Sequence, residues 1–104
     1  MPRDRMIWNP KAIAGVPEGI VLDMTRFIES GDIYECTWFV RHMLQCNFYK
    51  LARNAEDHEL DLVGRVYRMM LADVPRGCFG SEEATLRWPG LRNIKRSSPP
   101  LVKP

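Results

Sequence analysis

The sequence predicts an all-α fold: a small bundle of three helices plus a short fourth helix, with extended N- and C-terminal arms. Three observations predict it. Apolar residues recur at the three- and four-residue spacing of a helix face through most of residues 17–74. Helix start and stop signals, among them Pro17, Gly31 and Pro75, lie at the ends of these periodic segments. Alternation of apolar and polar residues, the mark of a strand, is weak throughout.

The chain has 104 residues, enough for one domain. Residues 1–16 contain Pro2, Pro10 and Gly15 and are predicted to form an extended N-terminal arm. Residues 17–88 form the predicted helical domain. Residues 89–104 are basic and rich in proline and serine, which predicts an extended tail without a core of its own.

The first helix is predicted from Pro17 to Ser30. Proline suits the first helical turn because its missing N–H would have no partner there. Gly31 can adopt the left-handed conformation that ends many helices. The buried face of this helix is predicted to comprise Ile20, Val21, Met24, Phe27 and Ile28.

The second helix is predicted to run from Asp32 to about Asn54. Asp32 and Glu35 have the spacing of a capping box. Two apolar stripes follow, so this helix is expected to be central. The first stripe comprises Ile33, Val40, Leu44, Phe48, Leu51 and Ala55, and the second comprises Trp38, Phe39, Met43, Cys46 and Tyr49.

The third helix is predicted to begin near residues 54–56 and to end before Pro75. Acidic residues crowd its first turns, where they complement the positive end of the helix dipole. The fourth helix, about residues 82–87, is predicted to be capped by Ser81.

Charge is distributed unevenly along the chain. Residues 12–83 contain seven Lys or Arg and twelve Asp or Glu, a formal charge of −5, whereas the whole chain carries +2. The excess positive charge therefore lies at the two ends. Such asymmetry bears on partners rather than on fold.

The three cysteines are Cys36, Cys46 and Cys78, an odd number without CxxC spacing. They favour reduced thiols in a cytoplasmic compartment over a disulfide framework. No apolar run has the length of a signal peptide or a membrane span, so we expect neither secretion nor membrane insertion.

Enzyme signatures are absent from the sequence, and we expect no catalytic residue, cofactor or metal. His42 and Cys46 share a helix face at i, i+4, but they provide only half of a zinc site. Asp57 and Asp61 have the same spacing, which the dipole of the predicted third helix explains.

The leading functional hypothesis is a non-enzymatic interaction module, because aromatic residues exceed what a thin three-helix core needs. In size and composition the chain resembles small accessory, inhibitor or subunit proteins of viral or organelle assemblies. The expected partner is a larger protein, with a homodimer as another possibility. The predicted contact residues are Trp38, Phe39, His42, Met43, Tyr49 and Trp88.

The alternative hypothesis is a nucleic-acid-associated protein whose basic tail binds phosphate. Its candidate residues are Arg87, Arg92, Lys95 and Arg96. Trp88 beside them would stack on a base. A metal-binding protein or enzyme is the third hypothesis, and it depends on His42 and Cys46, with His58 and Cys78 as two further soft ligands.

Overall fold

The computed structural model describes residues 5–97, and the side chains of residues 5–94. This part of the chain is all-α, as the sequence predicted, and contains no strand. Its helices are α1 (Pro10–Ile13), α2 (Glu18–Ser30), α3 (Trp38–Leu44), α4 (Phe48–Asn54), α5 (Asp57–Leu60), α6 (Val63–Asp73), α7 (Glu82–Arg87) and α8 (Leu91–Ser97), with a 3-10 turn at Ile33–Glu35.

Helix α2 agrees with the prediction at both ends. Pro17 occupies its N-cap, and Gly31 ends it in the left-handed conformation with φ 82°. The Gly31 N–H donates to the Phe27 carbonyl at 2.7 Å. Met24, Phe27 and Ile28 are fully buried, which makes α2 one side of the core.

The predicted second helix is instead three shorter elements. Asp32 accepts a hydrogen bond from the Tyr34 N–H and starts only the 3-10 turn. A new helix then starts at Thr37, whose N–H and hydroxyl both donate to the buried carboxylate of Asp23 on α2. The second break lies at Cys46, which has φ 55°, before the Asn47 side chain caps α4.

The predicted third helix is also divided. Glu56 and Glu59 form a capping box on α5, so the acidic residues do lie at a helix start. Leu62 then separates α5 from α6. Ser81 caps α7 as predicted, with its hydroxyl accepting from the Ala84 N–H at 3.0 Å.

Both segments predicted to be extended contain helix and contact the body. Helix α1 packs on α6, and α8 packs on α2. The Trp8 indole N–H donates to the Thr25 hydroxyl at 2.8 Å. Arg92 of α8 pairs with Glu29 of α2 at 3.2 Å. These contacts supply the tertiary support that the isolated segments lack. Residues 98–104 of the predicted tail lie outside the described residues.

The core combines α2, the 3-10 turn, α3, α4 and α6. Its buried side chains are Met24, Phe27, Ile28, Ile33, Cys36, Phe39, Val40, Met43, Leu44, Leu51, Val66, Met69, Met70, Val74 and Cys78. Four of these are methionines, whose flexible side chains fill irregular gaps between short helices.

Candidate interaction surface

Two large aromatic side chains are exposed next to one arginine where the 3-10 turn leads into α3. Tyr34 is 69% exposed and Trp38 is 36% exposed. Arg41 lies one turn after Trp38, with its Cζ 5.9 Å from the centroid of the Tyr34 ring. We call Tyr34, Trp38 and Arg41 the aromatic–arginine cluster. It presents the three residue types most enriched among energetically dominant interface residues.

Trp38 is held in place by its neighbours. Its ring lies on the buried His42 ring, with centroids 4.4 Å apart and planes at 35°. His42 is fixed in turn, since its Nδ1 lies 2.9 Å from the Trp38 carbonyl oxygen. The start of α3 is anchored by the Thr37 contacts to Asp23. The Trp38 ring is therefore held by His42 on one side, and part of its surface faces solvent.

Arg41 is half-buried and retains unused donors. Its Nε is buried and has no hydrogen-bond partner. Arg41 also has no ion-pair partner among residues 5–94. The buried Nε is out of reach of a ligand, but the Arg41 Nη groups form no hydrogen bond within residues 5–94 either, so an acceptor that reaches them would form a charge-assisted hydrogen bond.

Tyr49 is exposed to the same degree as Tyr34, but its hydroxyl is already used. Arg53 Nη1 donates to the Tyr49 hydroxyl at 2.9 Å, and the Arg53 Cζ lies 5.6 Å from the Tyr49 ring centroid. This pair is contained within α4. Tyr49 is thus a surface residue, as the sequence predicted, although it is paired with its own helix.

Three of the six predicted contact residues are buried, which corrects their assignment to a surface. Phe39 is 5% exposed, His42 7% and Met43 0%. The physical reason is that α3 is short and contacts α2, α4 and α6, so more of its circumference is covered than in a long helix packed on two neighbours. These side chains stabilise the core.

Trp88 is half-buried and packs between α7 and α2. Its indole N–H donates to the Ile28 carbonyl at 2.9 Å, where α2 approaches its end. A tryptophan whose polar group is satisfied inside the protein is a packing residue first. Trp88 therefore joins the end of α7 to α2.

Two of the four candidate phosphate-binding cations are already in ion pairs. Arg87 pairs with Glu83 at 2.6 Å, one turn earlier on α7. Arg92 pairs with Glu29 at 3.2 Å. Lys95 and Arg96 lie on α8, but their side chains are outside the described part of the chain. The two pairs reduce the positive charge that Arg87 and Arg92 offer to phosphate.

The candidate metal ligands do not converge in the described residues, where no group of three or more His, Cys, Asp or Glu side chains could hold an ion. His58 lies on exposed α5, where its Nδ1 is 3.5 Å from Oε1 of Glu56.

Burial raises the pKa of Cys36 and of Cys78 to about 12. Burial also raises the pKa of Cys46, and a hydrogen bond from Tyr67 partly opposes it.

The sequence reasoning missed Tyr34 and Arg41. Their signal was present, because Tyr34, Trp38 and Arg41 have the i, i+4, i+7 spacing of one helix face. Arg41 is charged and so belonged to neither predicted apolar stripe, and the exposure of a side chain cannot be derived from spacing alone.

Comparison of this chain with protein-family models, with curated proteins and with solved structures finds no match. Within the described residues the longest helix, α2, has 13 residues, and none is long and apolar enough to cross a bilayer.

Proposed function

We propose that this protein is a non-enzymatic interaction module that docks on a larger protein through the aromatic–arginine cluster. One observation carries the proposal: Tyr34 and Trp38 are exposed, and the guanidinium of Arg41, which lies over the Tyr34 ring, has no ion-pair partner in the described residues. Aromatic and arginine side chains dominate binding energy where a partner removes them from water.

The geometry reduces the entropy that docking would cost. Trp38 is stacked on His42, and Arg41 lies over the Tyr34 ring. Side chains already confined by neighbours lose less rotamer freedom when a partner covers them, by about 0.5–1.5 kcal/mol for each rotamer-rich side chain. The cluster is therefore better suited to binding than isolated exposed residues such as Leu71 on α6.

The thiol chemistry supports the non-enzymatic part of the proposal. The thiolate is the nucleophilic form of cysteine, and all three thiols have a raised pKa. Three free cysteines also favour a reducing compartment, so we place the docking in the cytoplasm.

The proposal is tested by recovering the partner from an extract of the source cells with tagged protein. We expect a stoichiometric protein partner that survives nuclease treatment. The double substitution Tyr34→Ala with Trp38→Ala should abolish its recovery. Tyr49→Ala is the matched control, because it removes an equally exposed tyrosine, and it should leave recovery unchanged.

Circular dichroism and thermal unfolding of each variant separate binding from folding. We expect the double variant to remain helical and to lose only about 1–2 kcal/mol, since both side chains are partly solvated. Equal recovery with the double variant and the control would refute the proposal. So would unfolding of the double variant, because the cluster would then be core.

A further inference from the structure

A groove of about 380 Å³ lies between α1 and the exposed face of α6. Three basic side chains line it, Lys11 from α1 and Arg65 and Arg68 from α6. The rest of its wall includes the small residues Ala12, Ala14 and Ala72. Because the small side chains leave room, the groove can admit a compact ligand between the cations.

The three cations have no partner within the described part of the chain. Neither an ion pair nor a side-chain hydrogen bond is formed by Lys11, Arg65 or Arg68 there. By contrast, Arg87 and Arg92 each pair with a glutamate. Like charges gathered in one groove repel one another, and a bound anion would relieve that repulsion.

Gly15 allows Arg65 to lie close to the backbone turn that follows α1. Gly15 has φ 82°, and a Cβ at this position would come within 2.8 Å of Arg65 Nη1. A side chain there would push the guanidinium away from the turn. The glycine and the packing of α1 on α6 thus bring Arg65 and Lys11 to one groove from separate segments.

We propose that the α1–α6 groove binds a single phosphate monoester. A phosphate dianion offers several acceptor oxygens, and arginine donates to phosphate through two N–H groups at once. The source of the group is a small phosphorylated molecule or a phosphorylated side chain. This site is separate from the aromatic–arginine cluster and does not depend on its function.

The surroundings favour one phosphate over a polynucleotide. Asp61 lines the adjoining cavity with Arg65 and Arg68, and Asp73 accepts from the Asn9 N–H beside the groove. A phosphate backbone running along α6 would pass these carboxylates and be repelled. The described residues that line the groove include no aromatic ring on which a base could stack.

The test is a titration of the full chain, followed by NMR at the arginine Nε–Hε groups. The probes are inorganic phosphate, a phosphoserine tripeptide and a single-stranded oligonucleotide. We expect saturable binding of inorganic phosphate, with shifts at Arg65 and Arg68. Arg65→Gln with Arg68→Gln should weaken binding about a hundredfold, since each lost charge-assisted contact is worth about tenfold or more.

Arg53→Gln is the matched control, because it removes the same charge from an exposed position on α4, and it should not change phosphate affinity. Tighter binding of the phosphoserine tripeptide than of inorganic phosphate assigns the site to a phosphorylated side chain. Equal or weaker binding of the tripeptide assigns it to a small molecule. Absence of saturation, insensitivity to the double substitution, or tightest binding of the oligonucleotide would overturn the proposal.

Discussion

At the scale of single residues, Asp23 determines where α3 begins. Its buried carboxylate accepts from the Thr37 N–H at 2.8 Å and from the Thr37 hydroxyl at 2.9 Å. Arg26, on the same helix α2, has its Nη1 3.4 Å from the Asp23 Oδ1. Such hydrogen bonds to a charged acceptor are stronger than neutral ones, so α2 and α3 are joined at the residue that precedes Trp38.

The buried thiols make stability depend on pH. Burial raises the pKa of Cys36 and Cys78 from 9.0 to about 12, and the charge of Asp23 contributes at Cys36. The folded protein therefore holds these protons more tightly than the unfolded chain. This contribution is complete below pH 9.0 and is lost as the pH rises toward about 12.

We predict that the free energy of unfolding falls between these two pH values. The double substitution Cys36→Ala with Cys78→Ala should flatten that fall, as measured by urea unfolding across the pH range. Thiol labelling of the folded protein provides the control, with half-buried Cys46 modified before the other two cysteines. Equal labelling rates at all three would show that Cys36 and Cys78 are not protected.

At the scale of elements, two glycines bring the end of α2 against the loop between α7 and α8. A Cβ on Gly31 would lie 2.5 Å from the Pro89 carbonyl, and one on Gly90 would lie 2.5 Å from the Ser30 carbonyl carbon. Both glycines have positive φ. This close approach places the Trp88 indole at the Ile28 carbonyl.

We predict that Gly31→Ala and Gly90→Ala each destabilise the protein by more than about 1–2 kcal/mol, because each combines backbone strain with a backbone clash. Gly19→Ala is the matched control. Nothing lies within 4 Å of a Cβ at Gly19 in α2. It should stabilise by about 0.5 kcal/mol. Thermal unfolding compares the three variants, and equal effects would contradict the close approach.

The elements also show what local sequence can predict. Helix α2 has proline at its start, glycine at its end and a periodic apolar face, so its limits could be predicted. The break between α3 and α4 lies at Cys46, which carries no glycine or proline signal. The start of α3 depends on Asp23, 14 residues earlier, and a contact across that separation cannot be derived from local spacing.

At the scale of the whole molecule, the charge asymmetry of the sequence is partly neutralised by folding. Arg92 from the basic end pairs with Glu29 of the acidic body. The cations of the α1–α6 groove come partly from the basic N-terminal end, Lys11, and partly from the acidic body, Arg65 and Arg68. Net charge along the sequence therefore did not predict that Arg65 and Arg68, from the acidic body, would line a groove without an ion-pair partner in the described residues.

The candidate surface was predictable only in part. Trp38 and Tyr49 are exposed, whereas Phe39 and Met43 on the same predicted stripe are buried. The stripe was predicted on one long helix, whereas the structure divides that segment at Cys46 into α3 and α4. The proposed docking surface keeps Trp38 and adds Tyr34 and Arg41, whereas Tyr49, paired with Arg53 on its own helix, lies outside it.

The most direct measurement is site-specific photocrosslinking of the protein in its source cells. A benzophenone amino acid is introduced in place of Tyr34, in the aromatic–arginine cluster. As a control it is introduced in place of Leu71, which is also exposed but lies on α6, outside the cluster. We predict a discrete protein adduct from position 34 that Trp38→Ala removes, and none from position 71. No adduct at position 34, or the same adduct from both positions, would contradict docking through this cluster.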